Sequence, residues 1–236
     1  MASLVAAGCA FLGIHLIVSG TRLRDPIVGA IGEEVYLGLF SLASLGAIVW
    51  LVLSYNGVQA GDGDPVVYVA PGWARDLAIP VVALAFLLAV PGLLSPNPTA
   101  LRQESAATRE GVVKGVLRIT RHPFLWGVAL WAAFHLAVNG DAASIVFFGS
   151  FLIVAVLGPF SIDAKRKRKM GQAWSAFAAK TSNLPFAGIF AGRAILRPGE
   201  LFDWRLLVAA IVFVVVLFAH SRLFGVSPFP GGWAPI

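Results

Sequence analysis

The sequence has few charged residues for its length. Charged side chains make up 13% of the 236 residues and hydrophobic ones 58%, and the mean hydropathy is +0.82. Soluble globular domains contain roughly 25% charged and about 45–50% apolar residues. The composition therefore excludes an ordinary soluble domain and predicts an integral membrane protein.

Cysteine is almost absent too. Cys9 is the single cysteine, so the chain forms no internal disulfide, and without a Cys-x-x-Cys-His motif it attaches no c-type haem. Any haem would therefore be bound non-covalently. No basic segment precedes the first apolar run, so we expect that run to remain as a membrane span.

Six apolar stretches approach the length of about 20 residues that an α-helix needs to cross about 30 Å of hydrocarbon. They cover residues 2–20, 35–55, 75–94, 123–139, 142–162 and 205–224. We therefore predict an all-α polytopic membrane bundle of about six transmembrane helices, formed by a single domain over residues 1–236.

Basic residues alternate between the connections of this bundle. Of the 18 Lys and Arg residues, all but Arg75 and Arg222 lie in or beside the connections after the first, third and fifth stretches. Cytoplasmic connections carry an excess of basic residues. We therefore predict a multi-pass protein of a bacterial-type inner (cytoplasmic) membrane, with both termini external.

The long inner connection, residues 163–204, contains a basic amphipathic pattern. Met170, Trp174 and Phe177 recur at helical spacing behind the run 165–169, in which every residue is Lys or Arg. This pattern is typical of a helix at the membrane interface. We expect contact with anionic membrane lipids and no nucleic-acid binding, because the latter requires such a patch on a soluble face.

Three of the four histidines, His15, His135 and His220, lie within apolar stretches. An ionisable side chain in hydrocarbon is costly and indicates a functional site. Each imidazole could be satisfied by an interhelical hydrogen bond. Three of them in one small bundle nevertheless favour axial ligation of a haem iron.

The depths of these histidines suggest a ligand pair. At about 1.5 Å per residue, His15 lies roughly 19 Å below the outer boundary, His135 roughly 12 Å and His220 roughly 8 Å. Two ligands of one iron need similar depths, which favours His135 with His220. Helix tilt absorbs part of such an offset and keeps the pair His15 and His135 open.

A basic motif, Thr120-Arg121-His122-Pro123, precedes the fourth apolar stretch. The proline suits the first turn of a helix, where free backbone N–H groups form a site for an anionic group. Arg118 and Arg121 would strengthen that site, which predicts binding of a haem propionate, a nucleotide-like cofactor or a lipid headgroup at His122. A basic, capped helix start without a ligand is the alternative, and the spacing does not decide between them.

Specific motifs occur in four parts of the chain. They are Gly13-Ile14-His15 with Ser19-Gly20, Arg118 to Pro123 continuing through Leu130 to His135, Thr181 to Phe186 with Ile189, and Phe218-Ala219-His220. Together they resemble the NnrU family of membrane proteins, named for association with nitrite and nitric oxide reduction, and the related zeta-carotene cis–trans isomerases. The similarity covers nearly the whole chain.

This resemblance implies a haem b protein of the membrane, linked to nitrogen-oxide (denitrification) or redox metabolism, with His15 and His135 as the iron ligands. His220 stays a reserve ligand because the depth estimate favours it. If the chain is an enzyme, the isomerases imply cis–trans isomerisation of a hydrophobic polyene such as zeta-carotene. In those isomerases a cysteine three residues before the second histidine exchanges as a ligand; here that position is Ala132, so the thiolate switch is absent.

A second resemblance rests on Arg121-His122-Pro123 with Asp163, Gly171, Trp174 and Phe177. These residues are similar to a motif of membrane methyltransferases that use S-adenosylmethionine on lipid or isoprenoid substrates. Those enzymes present paired glutamates where this chain has Asp163 followed by Ala164, so this hypothesis ranks second. A non-catalytic accessory protein for a terminal reductase is the third hypothesis, and the sequence leaves enzyme and accessory roles open.

Overall fold

The computed structural model describes residues 1–229, and this part of the chain is helical, without a named strand. Helix α1 (Ala2–Leu12) continues as a π-helical turn (Gly13–Val18), and α2 (Arg24–Ile31), α3 (Glu33–Gln59), α4 (Gly72–Asp76) and α5 (Ala78–Leu94) follow. A 3₁₀ turn (Glu104–Thr108) and α6 (Val116–Ile119) precede α7 (Pro123–Val138) and α8 (Ala142–Met170). The chain continues with α9 (Gln172–Ala179), α10 (Ala187–Phe190), a 3₁₀ turn (Pro198–Glu200) and α11 (Trp204–Phe224).

The all-α fold is confirmed, and apolar helices occur at the six predicted positions. Among the described residues, α3, α8 and α11 are long and apolar enough to cross a membrane. The other three, residues 2–18, 78–94 and 123–138, are shorter apolar helices. Their lengths lie near the lower limit of about 17 residues for a span, so the number of crossings stays a prediction.

The chain divides into two compact units. The first comprises residues 1–71 and 132–161, and the second comprises residues 72–131 and the chain from residue 162 onward. The single-domain prediction over residues 1–236 stays a prediction, and its last part, 230–236, lies outside the described residues.

In the first unit, α1 packs against α3 through apolar side chains. Its buried core consists of Leu4, Ala7, Phe11, Ala47, Leu51 and Ala143. Polar side chains form hydrogen bonds between helices. The Ser3 and Ser54 hydroxyls lie 2.8 Å apart, and the Tyr55 and Ser144 hydroxyls lie 3.0 Å apart. Such side-chain hydrogen bonds stabilise helix association where apolar surface alone gives little driving force.

In the second unit, α5 packs against α11 and lies close to α7. A Cβ atom at Gly127 of α7 would lie 2.7 Å from the carbonyl oxygen of Ala85 and 2.7 Å from the Cβ of Ala89. A Cβ at Gly92 would likewise meet Pro123 and the backbone nitrogen of Phe124 at 2.7 Å. Small residues therefore allow the close approach that places the start of α7 against α5.

The basic amphipathic segment differs from the prediction in one respect. The basic run 165–169 is the last part of α8, and the helix with Trp174 and Phe177 is the separate, shorter α9. Gly171 separates them with φ +54, a conformation that favours glycine. Trp174 and Phe177 are 4% and 2% exposed, so α9 packs them inside the protein and does not present them to lipid.

Candidate functional site

A buried polar cluster of the second unit lies at the start of α7. Asp163, near the end of α8, accepts hydrogen bonds from Arg121 Nε at 3.0 Å and Nη2 at 2.6 Å. His122 Nε2 lies 2.7 Å from Asp163 Oδ1. The motif before Pro123 therefore brings a guanidinium and an imidazole onto one carboxylate.

Backbone hydrogen bonds fix the chain on which these side chains stand. The Arg121 N–H donates to the Ser182 carbonyl at 2.8 Å, and the Thr120 hydroxyl donates to the Asn183 carbonyl. On the other side, the Arg121 carbonyl accepts from Asn97 Nδ2 and from the Thr99 hydroxyl, both at 3.0 Å. Pro123 begins α7 as predicted, because its missing N–H costs no hydrogen bond there.

Burial determines the charge state of the cluster. The His122 side chain is 1% exposed, and this burial lowers the pKa of His122 while the hydrogen bond and charge of Asp163 oppose the shift. The imidazole is therefore neutral at pH 7 and donates its Nε2 proton to Asp163. Arg121 supplies the balancing positive charge and lies over the Trp174 ring at 5.5 Å.

Arg118 belongs to a second ion pair. Its Nε and Nη2 donate to the two carboxylate oxygens of Glu200 at 2.7 and 2.9 Å, and the Gly115 N–H donates to the same carboxylate at 3.0 Å. These contacts hold the pKa of Glu200 down at about 2. Both arginines of the predicted anion site thus have acidic partners within the chain, and binding of an external acidic group at His122 stays a prediction.

His15 lies in the first unit, within the π-helical turn. Its Nδ1 is 2.8 Å from the Phe11 carbonyl oxygen, one turn back, so Nδ1 carries the proton and Nε2 keeps its lone pair. Nε2 lies 3.5 Å from the Ser44 hydroxyl of α3. π-Helical turns are rare and often occur at functional sites, and a histidine with Nδ1–H held by a carbonyl is oriented to bind a metal through Nε2.

His135 lies in the same unit, on α7. Its ring stacks on Phe148 of α8 with centroids 4.7 Å apart. The His15 ring meets Phe11 at 4.3 Å, and Phe11 meets Phe151 at 5.0 Å. Phe147 contacts both Phe151, at 5.3 Å, and Phe148, at 5.1 Å. Phenylalanine rings therefore connect the surroundings of the two histidines.

His220 belongs to the second unit. Its Nδ1 lies 2.8 Å from the Val226 carbonyl, just beyond the end of α11. Its role as a reserve ligand stays a prediction. Within residues 1–229, the structure has no group of three or more His, Cys, Asp and Glu side chains that could hold a metal ion; two axial imidazoles are a smaller ligand set than that.

The sequence did not reveal the polar residues that complete the cluster at His122. No spacing or motif in the sequence links Thr120 and Arg121 to their partners Asn97, Thr99, Ser182 and Asn183. In the structure Asn97 is buried, with 3% exposure. A signal was present in Pro96-Asn97-Pro98, because the proline that follows Asn97 restricts its backbone to extended conformations.

Comparisons with known proteins identify relatives of the chain. It is 29% identical over 218 residues to the chloroplastic 15-cis-zeta-carotene isomerase of Arabidopsis thaliana, covering 87% of this chain and 56% of the relative. The corresponding Zea mays protein is 27% identical over 212 residues, covering 85% and 55%. The chain thus spans about half the length of these curated relatives, and no solved structure is significantly similar to it. The sequence pattern of the family described as NnrU protein matches residues 3–228, and the chain therefore belongs to the NnrU family.

Proposed function

We propose that this chain is a membrane-embedded cis–trans isomerase of an apolar polyene of the zeta-carotene type, with haem b held by His15 and His135. The similarity to two 15-cis-zeta-carotene isomerases, over 87% and 85% of this chain, carries the proposal. Apolar helices long enough to cross a membrane agree with a substrate dissolved in lipid. A link to nitrogen-oxide metabolism stays a prediction drawn from the family name.

The ligand chemistry of the first unit fits a haem iron. Neutral imidazoles are the usual axial ligands of b-type haems. The hydrogen bond between His15 Nδ1 and the Phe11 carbonyl leaves Nε2 as the ligating nitrogen. When bound, haem supplies a redox-active iron, whose electron donation or Lewis acidity would lower the barrier to rotation about a polyene double bond.

The residues of this chain then have distinct tasks. The hydrogen bond from His15 Nδ1 to the Phe11 carbonyl fixes the orientation of one imidazole, and the Phe148 ring packs against the His135 imidazole at 4.7 Å. Phe11, Phe147 and Phe151 give apolar, polarisable surface that suits a conjugated chain and keeps water away. Cis–trans isomerisation leaves the atoms and the oxidation state of the polyene unchanged, so the reaction consumes no co-substrate.

Absorption spectroscopy of the full-length protein in detergent tests the cofactor. The wild-type protein should show the spectrum of low-spin, non-covalent haem b, and His15→Ala or His135→Ala should lose haem or turn it high-spin. His220→Ala is the matched control and should leave the spectrum unchanged. If His220→Ala loses the low-spin spectrum while His15→Ala keeps it, the iron ligands would be His135 and His220 instead of His15 and His135.

Product analysis tests the reaction. Cells that accumulate 15-cis-zeta-carotene should convert its central 15-cis double bond to trans when they express this chain, and His135→Ala should abolish this conversion. A wild-type protein that binds haem normally but leaves the polyene unchanged would point to the accessory role. Saturable binding of S-adenosylmethionine to haem-free protein would favour the methyltransferase. That alternative ranks second because the Asp163 carboxylate is already occupied by Arg121 and His122.

A further inference from the structure

The second unit contains a cavity of about 710 Å³ that the proposed isomerase does not use. Its lining comes from residues 107–113, from α9 with Lys180, and from residues 193–197, together with Arg118. The volume lies within the range of about 300–1,000 Å³ that is usual for small-molecule sites.

Basic side chains dominate this cavity. Five of them line it, against one acidic residue, Glu110; the five are Arg109, Arg118, Lys180, Arg193 and Arg197. Glu200 neutralises part of this charge, since it pairs with Arg118 at 2.7 Å and lies 3.7 Å from Arg197.

Three of these cations have no carboxylate partner in the described part of the chain. Arg193 donates to the Thr181 carbonyl at 3.2 Å. Within residues 1–229, Arg109 and Lys180 form no ion pair. The cavity therefore keeps a positive charge that an anionic ligand would balance.

The walls between the cations are apolar. Phe177, 2% exposed, forms a buried part of the wall. Val112, Val113 and Ala176 also line the cavity, and Ile195 stands at it with 69% exposure. A free inorganic anion gains nothing from such surface, whereas an amphiphile with an anionic head and an apolar body matches both parts.

The place of the cavity in the chain points to a membrane surface. Ala173 and Lys180 follow closely on the end of α8, and Arg193 to Arg197 shortly precede α11. Both helices are long and apolar enough to cross a membrane, so the segment that joins them lies on one side, near the lipid headgroups. Basic clusters next to the end of a span bind anionic headgroups of the cytoplasmic leaflet.

We propose that this cavity binds the phosphate of an anionic phospholipid headgroup, with Arg109, Lys180 and Arg193 as its cationic contacts. The apolar wall around Phe177 and Ala176 covers the adjoining glycerol region. The site does not depend on the histidines of the first unit, and the lipid is a bound ligand separate from the polyene.

Ligand titration of the full-length protein in an uncharged detergent tests this site. Short-chain phosphatidylglycerol, short-chain phosphatidylcholine and inorganic phosphate are compared at fixed ionic strength by thermophoresis. Phosphatidylglycerol should bind tightest, and the double variant Arg109→Gln/Lys180→Gln should weaken it about 10–30-fold, the effect of two lost charges near a headgroup. The control Arg75→Gln/Arg222→Gln removes the same charge from two exposed positions outside the cavity and the basic run, and it should change binding by less than about 3-fold.

The outcomes separate the sources of binding. Equal weakening by both double variants would assign the effect to overall surface charge and overturn the proposal, as would inorganic phosphate binding as tightly as the lipid. Ala176→Leu narrows the cavity on a helix without changing charge, and it decides the matter if the charge variant does not fold. Ala176→Leu should lower the affinity for phosphatidylglycerol about as much as Arg109→Gln/Lys180→Gln does. If Ala176→Leu keeps the wild-type affinity, the lipid binds elsewhere.

Discussion

Replacing Asp163 with Asn tests whether the polar cluster at the start of α7 stabilises the fold. The substitution keeps the size of the side chain but removes its negative charge. Arg121 then keeps its positive charge without the carboxylate that it now contacts at 2.6 Å. His122 loses the acceptor of its Nε2 proton when the new amide turns its nitrogen toward the ring.

The burial of the ion pair sets the expected loss of unfolding free energy in Asp163→Asn. Removing one partner of a buried ion pair costs about 3–5 kcal/mol, because the remaining charge stays buried and unpaired. The side chains of Arg121 and Asp163 are 13% and 17% exposed, so water screens the pair little. Arg121 keeps the Thr181 hydroxyl at 3.4 Å and the Trp174 ring, which places the expected loss near the lower end, about 3 kcal/mol. For a chain of this size that lowers Tm by about 6–12 °C.

Thermal unfolding of the detergent-solubilised protein, followed by tryptophan fluorescence, measures this loss. Lys167→Gln, which removes an exposed charge from the same helix, should change Tm by about 2 °C or less. The double variant Arg121→Gln/Asp163→Asn leaves no unpaired charge, so its loss of unfolding free energy should be about 1–3 kcal/mol smaller than the sum of the single losses. Additivity of the single losses within about 0.5 kcal/mol would refute the pairing.

Three further predictions concern other parts of the molecule. Reporter fusions should place the C-terminus outside and residues 163–204 in the cytoplasm, since 16 of the 18 basic residues lie in or beside alternate connections; a cytoplasmic C-terminus would contradict the topology. The pKa of Glu200 falls from 4.5 to about 2 on folding, so its pairing with Arg118 stabilises the protein above about pH 4.5 and is lost as pH falls toward 2. Tm measured over that range should therefore fall less steeply in Glu200→Gln, and parallel curves would count against the pair. Gly127→Ala should destabilise the protein by about 1–3 kcal/mol because its Cβ would lie 2.7 Å from Ala85. Gly149→Ala on α8, where an added Cβ would meet no atom within 4 Å, should be neutral or stabilising in the same unfolding assay. An equal loss of unfolding free energy in both variants would exclude close packing as the cause.

The positions of the helices were predictable from the sequence because they depend on local composition. Long apolar segments must satisfy their backbone hydrogen bonds internally when they are removed from water, so each of the six stretches contains a helix. The boundary at Pro123 was predictable for a similarly local reason, the missing N–H of proline. The sequence pattern places the basic run 165–169 in one helix with Trp174 and Phe177, but the structure breaks the helix at Gly171, whose positive φ is set by the folded chain.

The sequence by itself determined the all-α class, the membrane-type composition and the presence of imidazoles inside apolar segments, since these follow from residue type and short-range spacing. Only the tertiary structure decided which charges meet: Arg121 pairs with Asp163, which is 42 residues away, and Arg118 with Glu200, which is 82 residues away. The π-helical turn that carries His15 likewise follows no pattern of residue types. These features depend on how distant segments pack. The strength of an electrostatic interaction depends on the distance between the two charges in space, and the spacing of residues along the chain does not encode that distance.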